Sequence, residues 1–415
     1  MNRRISAVFV FLAFARAASS YSVLSHEAII DAAWDASIKP ILLKRFPGTT
    51  EEGLRKAHAF TYGGSIIQDM GYYPFGSHFF SDLTHYIRSG DFIVNLLEEA
   101  QDVNEYAFAL GALAHYAADN IGHRAVNQAV PMLYPKVRAK FGQTATYEDN
   151  PADHLKTEFS FDVAEVAEHK FAPNAYHDFI GFEVSKPLLE RAFEKTYGLP
   201  LKDVSKNLDL ALGTYRHTVS ALIPEMTKVA WQAKKKELMR ANPGLTQQRF
   251  VYTLSRAGYE KEWGNDYSRP GWWSKFLACA LKAIPKIGPL KSLAFHPATP
   301  EAQKLFMDSF VQTVALYEEK LREIQNGRLP ALADQNFDTG QPSRAGDYQM
   351  ADAACGKLIL KLSEDKSRKV DPELSKAILA FYGDKTPTDP KVAGALDALR
   401  GRTERRERRI GSEVT

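Results

Sequence analysis

Cysteine is scarce in this sequence: only Cys279 and Cys355 occur among 415 residues. One disulfide between them is compatible with an oxidising compartment, but two cysteines exclude a disulfide-based scaffold. They also exclude the cysteine-rich zinc sites that need three or four thiolates. Any zinc bound by this chain must therefore be held by His, Asp and Glu.

An excess of charge is also lacking. The formal net charge is +3, and Arg3, Arg4 and Arg16 supply three positive charges in a segment, residues 1–20, that contains no acid. Without that segment the net charge is zero. A neutral chain argues against a broad electrostatic nucleic-acid binder, because such proteins carry extended basic surfaces.

The third absence is a long hydrophobic run. The apolar stretch from Ile5 to Ala15 is too short to span a bilayer. With Arg3 and Arg4 before it and small residues at 17–20 after it, the pattern predicts a signal peptide over residues 1–20 and a mature N-terminus at Tyr21. We therefore expect a secreted or periplasmic protein; a retained N-terminal anchor is the alternative.

Strand signals are weak almost everywhere, and helical periodicity dominates. The predicted helices of the main domain are Leu24–Ile38, Glu51–Gln68, Asp82–Ala100, Val103–Val126, Ala152–His169, Val184–Thr196, Val204–Lys236 and Pro300–Gln325. We expect an all-α, multi-helix domain over residues 21–328. Residues 329–348 are polar and predict a linker, and residues 329–415 form a C-terminal extension that is partly helical or disordered.

Residues 268–296 combine aromatic and aliphatic side chains with four lysines, one arginine and no acid. This pattern is typical of a segment that rests on a membrane surface. It also fits a helix and loop packed on the core with the lysines in solvent, and we favour this second interpretation.

Histidine is the informative residue. Seven of the eleven histidines lie between positions 26 and 154. His115, Asp119 and His123 are spaced four residues apart, so a helix places them on one face. The residues before them are small and apolar, as in a helix buried on several sides. His154 and Glu158 form a second pair with the same spacing. Because polar burial without partners is costly, a metal is the sharpest explanation.

The order of these motifs resembles the bacterial zinc-dependent phospholipases C, whose fold is shared by the fungal zinc-dependent single-strand nucleases. Tyr21 with Ser25-His26 resembles the family's N-terminal aromatic residue and first histidine. Gln68-Asp69 and Ser77-His78-Phe79 resemble the next aspartate and histidine. The central helix and its two pairs follow: His115-Tyr-Ala-Ala-Asp119, His123, and His154-Leu-Lys-Thr-Glu158. The interval from Tyr21 to His26 matches the nuclease branch, and the step from Asp119 to His123 is shorter than in well-known members. The motifs cover about residues 21–161.

The resemblance implies three zinc ions. The first ion would be held by Asp69, His78, His115 and Asp119. The second would be held by His123, His154 and Glu158, and the third by Tyr21 (through its backbone amine and carbonyl), His26 and Asp119. Asp119 would bridge a close pair, and Asp69 and Asp119 are the predicted catalytic residues. Paired zinc ions clamp a phosphodiester and make hydroxide available near neutral pH.

Four further residues are candidates for contact with substrate. Tyr72, Tyr73 and Phe75 lie between two predicted ligands, Asp69 and His78, so we expect them at the mouth of the site. They could stack on a choline headgroup or on a base, or pack the loop onto the domain. His85 follows His78 by seven residues, so it can face the same way. We predict that it orients a ligand or contacts phosphate; a purely structural hydrogen bond is the equal alternative.

These expectations combine into a secreted, zinc-dependent phosphodiesterase that hydrolyses the glycerol–phosphate bond of phospholipids with a metal-activated hydroxide. Its substrate is a phospholipid, with contact to a membrane surface; no protein partner is predicted. The first alternative is a secreted single-strand nuclease on the same metal site, which alone would imply a nucleic-acid partner. The second is a non-catalytic, zinc-stabilised binding protein.

Overall fold

The computed structural model describes residues 23–73, 75–168, 182–217, 239, 296, 298–365, 368 and 370–413. The helices of the first half are α1 Val23–Ala33, α2 Lys39–Arg45, α3 Glu51–Ile66, α4 His78–Tyr86, α5 Ser89–Glu99, α6 Val103–Leu133, α7 Pro135–Phe141 and α8 Pro151–Glu168. A π-helical turn, Trp34–Ile38, joins α1 to α2, and a 3-10 helix, Ile67–Tyr72, follows α3. The remaining helices are α9 Lys186–Tyr197, α10 Leu201–Val204, α11 Leu208–His217, α12 Pro300–Gln325, α13 Gln349–Glu364, α14 Pro372–Tyr382 and α15 Pro390–Glu413.

The longest helix, α6, lies at the centre of the fold. Its first turn is capped by the Asp102 carboxylate, which accepts the amides of Asn104 and Glu105 at 2.8 and 2.9 Å. Nearly every residue from 105 to 130 is buried, because α3 packs along one side and α12 along another. A helix that is apolar on all sides is typical of a domain core. The all-α fold expected from the sequence is confirmed.

Two glycines allow α3 and α6 to cross in backbone contact. A Cβ on Gly64 would lie 1.9 Å from the carbonyl oxygen of Phe108, and one on Gly111 would lie 2.0 Å from that of Thr61. Only a residue without a side chain fits at either position. This close approach brings the C-terminal end of α3, with the 3-10 helix that follows it, against the face of α6 that carries His115.

The predicted helix Asp82–Ala100 is two helices in the structure. Arg88 adopts a left-handed conformation with φ of 51°, which ends α4 at Tyr86 and lets α5 begin at Ser89. The Arg88 side chain is buried, where Nη1 donates to the carbonyl oxygen of Thr196 at 2.5 Å. A tertiary contact therefore determines this break, which helical periodicity alone does not reveal.

The segment 329–348 was expected to be a linker, and the structure shows it packed against the helical core. It contains a short antiparallel pair, β1 Gln335–Asn336 with β2 Gln341–Pro342. Phe337 is fully buried and Asp338 is 1% exposed. The polar composition misled the prediction because the polar groups of this segment are satisfied by contacts with helices far away in sequence. From α13 onward the extension is helical within the described residues.

Several sequence predictions fall outside the described residues: the signal peptide and Tyr21, residues 218–236 of the predicted helix Val204–Lys236, and residues 268–295 of the lysine-rich segment. Cys279 also lies outside them, so a disulfide with it stays a prediction; Cys355 is buried on α13 and forms no disulfide within the described residues. Among the described helices, none has both the length and the apolar character needed to cross a bilayer.

Candidate metal centre

Two groups of buried side chains converge beside the middle of α6. In each group, every residue offers one nitrogen or oxygen that lies within 4.8 Å of those of the others. The first group, called cluster 1 below, contains Asp69, His85, His115 and Asp119. The second, cluster 2, contains His123, His154 and Glu158. These seven side chains are at most 3% exposed, so their charges and polar atoms require compensation within the protein.

Cluster 1 is assembled from three elements. Asp69 comes from the 3-10 helix after α3, His85 from the last turn of α4, and His115 with Asp119 from α6. The Nε2 atom of His85 lies 3.3 Å from Asp69 Oδ1 and 3.4 Å from Asp119 Oδ2, and the Nε2 atom of His115 lies 3.0 Å from Asp119 Oδ2. Two ligands on a tetrahedral zinc with bonds of about 2.0–2.1 Å lie roughly 3.3 Å apart. The spacing in cluster 1 therefore suits a small metal ion.

The hydrogen bonds of the two histidines fix which nitrogen faces the cluster. Nδ1 of His85 lies 2.8 Å from the carbonyl oxygen of Ser81, and Nδ1 of His115 lies 2.8 Å from that of Ser65. A carbonyl only accepts, so each Nδ1 carries the proton. In the neutral rings both Nε2 atoms are then acceptors, yet they lie 3.5 Å apart beside two carboxylates. Converging acceptors need a cation between them, and backbone-anchored Nδ1–H groups are typical of zinc-binding histidines.

The electrostatics of cluster 1 point the same way. Burial alone would lower the pKa of His85, but Asp119 and Asp69 more than offset it and raise that pKa to about 10. The pKa of His115 is also raised against burial, chiefly by Asp119 and Asp69. Conversely, His115 and its neighbours overcome burial and hold the pKa of Asp119 well below its usual range. The two carboxylates thus create a strong preference for positive charge at this point.

His26 stands beside cluster 1. Its ring is fully buried and stacks on that of His115, with centroids 4.6 Å apart and an angle of 9° between the planes. Its Nε2 atom lies 3.6 Å from Asp119 Oδ1. Burial and the nearby His115 lower the pKa of His26 to about 4, so this ring is neutral at pH 7, the form that binds metal. The structure thus brings His26 next to the carboxylate with which it was predicted to share the third ion.

Cluster 2 joins α6 to α8. His154 and Glu158 lie one turn apart on α8, with Nε2 and Oε1 2.9 Å from each other, and the rings of His123 and His154 have centroids 5.3 Å apart. Neither ring nitrogen of His123 or His154 makes a hydrogen bond within the described part of the chain, although all four are buried. Burial and the neighbouring His123 hold the pKa of His154 well below its usual value. Two buried imidazoles without hydrogen bonds, beside a carboxylate, fit a metal site.

Asp119 links the two clusters. Its Oδ2 atom approaches His115 and His85 in cluster 1 and lies 3.6 Å from Nε2 of His123 in cluster 2. The step of four residues from Asp119 to His123 keeps both side chains on one face of α6. A single carboxylate therefore lies beside histidines of both clusters. The bridge expected from the sequence is a different one, between the first ion and the third ion beside His26.

The structure reverses the positions predicted for His78 and His85 relative to the metal site. His78 was expected among the ligands of the first ion, but it is exposed at the first position of α4 and is not among the converging side chains. His85 was expected near the substrate or behind a ligand, and it lies inside cluster 1. The two residues are seven apart, which is about two turns, so both can face the same side of a helix. Only the depth of each end of α4 separates them.

The aromatic loop before His78 divides into buried and exposed members. Tyr72 is buried, with its ring centroid 5.4 Å from that of His85, and its hydroxyl donates to Asp82 at 3.4 Å. Tyr73 packs on Tyr215 at a centroid distance of 4.2 Å. Phe75 is 61% exposed and adopts a φ of 64°. Of the three, Phe75 alone presents a large free face in this structure.

Sequence reasoning missed one acid altogether. Asp338, from the segment 329–348, places Oδ1 3.2 Å from Nε2 of His123 in cluster 2. No helical spacing or motif connects this residue with the histidines. Its position in a polar stretch, between Phe337 and a turn, gave no signal that could have identified it.

Comparison with known protein families agrees with this geometry. Residues 25–207 match the model of a family described as zinc dependent phospholipase C. The match supports a relation of this part of the chain to the zinc-dependent phospholipase C family. The match covers both clusters, and the resemblance drawn from the motifs is confirmed. The comparisons with curated proteins and with solved structures give no match.

The residues of both clusters suit zinc, the metal named in the description of this family. Zinc takes imidazole nitrogen and carboxylate oxygen at tetrahedral spacing, and clusters 1 and 2 provide both in buried positions without any thiolate. The family domain therefore contains two candidate zinc sites. The third set, with His26, depends on Tyr21, which lies outside the described residues.

Proposed function

We propose that this protein is a zinc-dependent phosphodiesterase of the phospholipase C type, which hydrolyses the glycerol–phosphate bond of a phospholipid after export from the cell. The observation that carries this proposal is the convergence of clusters 1 and 2 on Asp119, inside the part of the chain that matches the family. A structural zinc site needs one set of ligands, whereas two adjacent sets joined by a carboxylate are typical of phosphodiester hydrolysis.

The proposed ligands are cluster 1 for one ion, cluster 2 for a second, and His26 with Asp119 and the Tyr21 backbone for a third. When bound, the ions would polarise the phosphodiester and lower the pKa of water. The protein residues orient this site: the carbonyls of Ser81 and Ser65 hold His85 and His115 by their Nδ1 protons. Asp69 faces His85 and is the proposed proton acceptor in the hydrolysis.

The aromatic loop before α4 is the proposed contact with substrate. Phe75 is exposed on the loop between Asp69 and α4, where its ring face could pack against a choline headgroup or against lipid chains. Tyr72 lines the wall next to His85 and is better placed to shape the site than to stack on a headgroup. We therefore propose that the loop contacts substrate through Tyr72, Tyr73 and Phe75, and that Phe75 is the one nearest to solvent.

The test measures bound zinc and the hydrolysis of phosphatidylcholine vesicles by the exported protein and by Asp119→Asn. We expect the variant to lose zinc and at least about 100-fold in activity, because Asp119 contacts histidines of both clusters. Asp209→Asn on α11, whose carboxylate is more than half exposed, is the matched control and should behave like the native protein. Full activity in Asp119→Asn, or a native protein without zinc, would overturn the proposal.

Single-stranded DNA is assayed beside the vesicles, because the interval of five residues from Tyr21 to His26 resembles the nuclease branch. Cleavage of DNA without release of diacylglycerol would show that the protein is a nuclease that uses the same metal site. Retention of zinc without turnover of either substrate would instead favour a zinc-stabilised binding protein. N-terminal sequencing of the exported form tests the third site, since that site needs Tyr21 as the first residue.

A further inference from the structure

An aromatic side chain from outside the part of the chain that matches the family lies against cluster 1. Phe337 is fully buried, and its ring centroid lies 5.4 Å from that of His85 and 6.1 Å from that of His115. The centroids of the two imidazoles are themselves 5.3 Å apart, so the three rings contact one another. We propose that Phe337 is a positioning residue for the metal centre, which fixes the planes of His85 and His115 and thereby the direction of the Nε2 atoms that would hold zinc.

A hydrogen bond alone leaves the plane of an imidazole undetermined. The carbonyls of Ser81 and Ser65 each hold one Nδ1 atom, which fixes one point of each histidine ring. The tilt of the ring about that point depends on packing, and Nε2, on the far side of the ring, moves with it. A preorganised site needs its ligand atoms held to within about 0.5 Å by packing and hydrogen bonds together. Phe337 contacts both rings, so one side chain supplies this packing for two ligands.

The backbone around Phe337 is anchored to the helices that carry these histidines. The amide of Phe337 donates to the carbonyl oxygen of His85 at 3.1 Å, so its backbone and its ring both contact the same residue of α4. The carbonyl oxygen of Asp338 accepts the side-chain amide of Asn127, one turn after His123 on α6, at 2.7 Å. These bonds fix the position from which the ring of Phe337 extends.

A tyrosine of α6 holds the same segment. The ring of Tyr116, the residue after His115, packs against that of Phe337 at a centroid distance of 5.6 Å and an angle of 84°. Its hydroxyl donates to the carbonyl oxygen of Ala333 at 3.0 Å. Edge-to-face contacts of this kind stabilise aromatic pairs beyond the area that they bury. Tyr116 therefore holds Phe337 directly through its ring and indirectly through the backbone at Ala333.

The segment also packs closely against the helices on both sides of Phe337. A Cβ on Gly90 of α5 would lie 2.7 Å from the carbonyl oxygen of Ala333. A Cβ on Gly340, where φ is 65°, would lie 2.9 Å from the backbone oxygen of Asn120 on α6. Glycine allows both approaches because it has no side chain. Phe337 thus lies between two points at which the backbone of its segment meets that of a helix or its own turn meets α6.

The position of Phe337 has a chemical consequence for cluster 1. The apolar shell around a metal site controls the access of water and the local dielectric constant. Phe337 is fully buried, so its ring keeps water away from the side of His85 and His115 that it covers. This inference rests on the proposed zinc site at cluster 1, and the experiment separates the two.

The experiment uses the full chain and measures zinc content after dialysis against a graded series of chelator concentrations. Phe337→Ala removes the ring and keeps the backbone hydrogen bond to His85. We expect it to lose zinc at chelator concentrations at least about 10-fold lower than the native protein, and Phe337→Leu, which restores apolar volume, to lie closer to the native value. Phe92→Ala on α5 is the matched control, since Phe92 is equally buried and packs on Phe80 and Tyr197. It should retain zinc like the native protein, and equal sensitivity of Phe337→Ala and Phe92→Ala to chelator would overturn the proposal.

His85→Ala reports on cluster 1 itself. If His85→Ala keeps the native zinc content, the proposed site at cluster 1 fails, and the inference fails with it. If His85→Ala loses zinc while Phe337→Ala keeps native resistance to chelator, only the role of Phe337 is overturned. The measurement follows metal binding, so it decides this role whether the substrate is a phospholipid or a nucleic acid.

Substitution of zinc by cobalt gives a second readout, which a loss of stability alone does not change. Each chain is saturated with Co²⁺, whose visible absorption depends on the geometry of its ligands. We expect Phe337→Ala to change the position and intensity of these absorption bands, because the imidazole planes are no longer fixed, and Phe92→Ala to keep the native spectrum. A native spectrum in Phe337→Ala would overturn the proposal.

Discussion

The histidines show what spacing along the chain can reveal about a site and what it cannot. His115, Asp119, His123 and the pair His154 and Glu158 were predicted because a helix turns positions four apart to one face. The structure brings these residues together. His78 and His85 satisfy the same rule and still differ, because one begins α4 at the surface and the other ends it in the core. Depth within the fold decides which histidine reaches the carboxylates, and periodicity carries no information on depth.

Replacing each histidine of α4 by alanine tests this assignment. We expect His85→Ala to lose the zinc of cluster 1 and at least about 100-fold in phosphodiesterase activity, since its Nε2 atom faces both Asp69 and Asp119. His78→Ala, on the exposed first turn of the same helix, should keep the native zinc content. Zinc per chain is measured by atomic absorption after gel filtration. A loss of zinc in His78→Ala with none in His85→Ala would restore the order predicted from the sequence.

At the scale of helices, the site depends on how closely α3 approaches α6. The carbonyl of Ser65 on α3 can hold His115 because Gly64 and Gly111 let the two backbones touch. The sequence predicted both helices, α3 to within two residues and α6 with its end at Val126 instead of Leu133, but not that they cross at these glycines. An apolar helix pattern shows that a face is buried; it does not show which partner covers it or at what distance.

The crossing predicts a large cost for a single added methyl group. Gly111→Ala would place a Cβ 2.0 Å from a backbone oxygen of α3, which forces the helices apart and should lower the free energy of unfolding by about 3 kcal/mol or more. Gly394→Ala on α15 is the matched control, because nothing lies within 4 Å of its Cβ and alanine favours a helix by about 1 kcal/mol. Urea unfolding gives both values. Equal effects of the two substitutions would contradict the contact.

The N-terminus of α5 provides a prediction on pH. Oδ1 of Asp334 accepts the amides of Gly90 and Asp91 at 3.0 Å each. Burial, with the nearby Asp91 carboxylate, raises the pKa of Asp334 to about 6. The folded chain then binds more protons than the unfolded chain between about pH 4 and pH 6, so this residue makes stability fall as pH rises through that range.

Asp334→Asn keeps an oxygen for both amides and removes this titration. Relative to the native protein, the variant should therefore gain stability as pH rises from 4 to 7, as measured by urea unfolding at each pH. A gain that is the same at pH 4 and pH 7 would contradict the raised pKa. Asp334→Ala, which loses the acceptor, should be less stable than Asp334→Asn at both pH values.

At the scale of the whole molecule, the fold joins two parts that the sequence predicted to be separate: the helical domain and residues 329–348. The helical character and the family domain followed from periodicity and motifs, whereas residues 329–348 were polar enough to predict a linker. Phe337 and Asp338 nevertheless lie more than 200 residues after His123 and pack against its surroundings. Contacts between parts so far apart in sequence depend on the final path of the chain, which no local pattern encodes.

Zinc should therefore stabilise the molecule as a whole, since α4, α6, α8 and the C-terminal segment meet at the two clusters. A ligand that binds only the folded chain adds about 4 kcal/mol per site at a concentration 1,000 times its dissociation constant. We expect the melting temperature to rise with added zinc and to fall on chelation, and the effect of zinc to shrink at acidic pH as protons compete for the imidazoles. In Asp119→Asn most of this dependence should be lost, because the variant weakens both clusters. Scanning calorimetry at several zinc concentrations measures it, and a melting temperature independent of zinc in the native chain would contradict the assignment of both clusters.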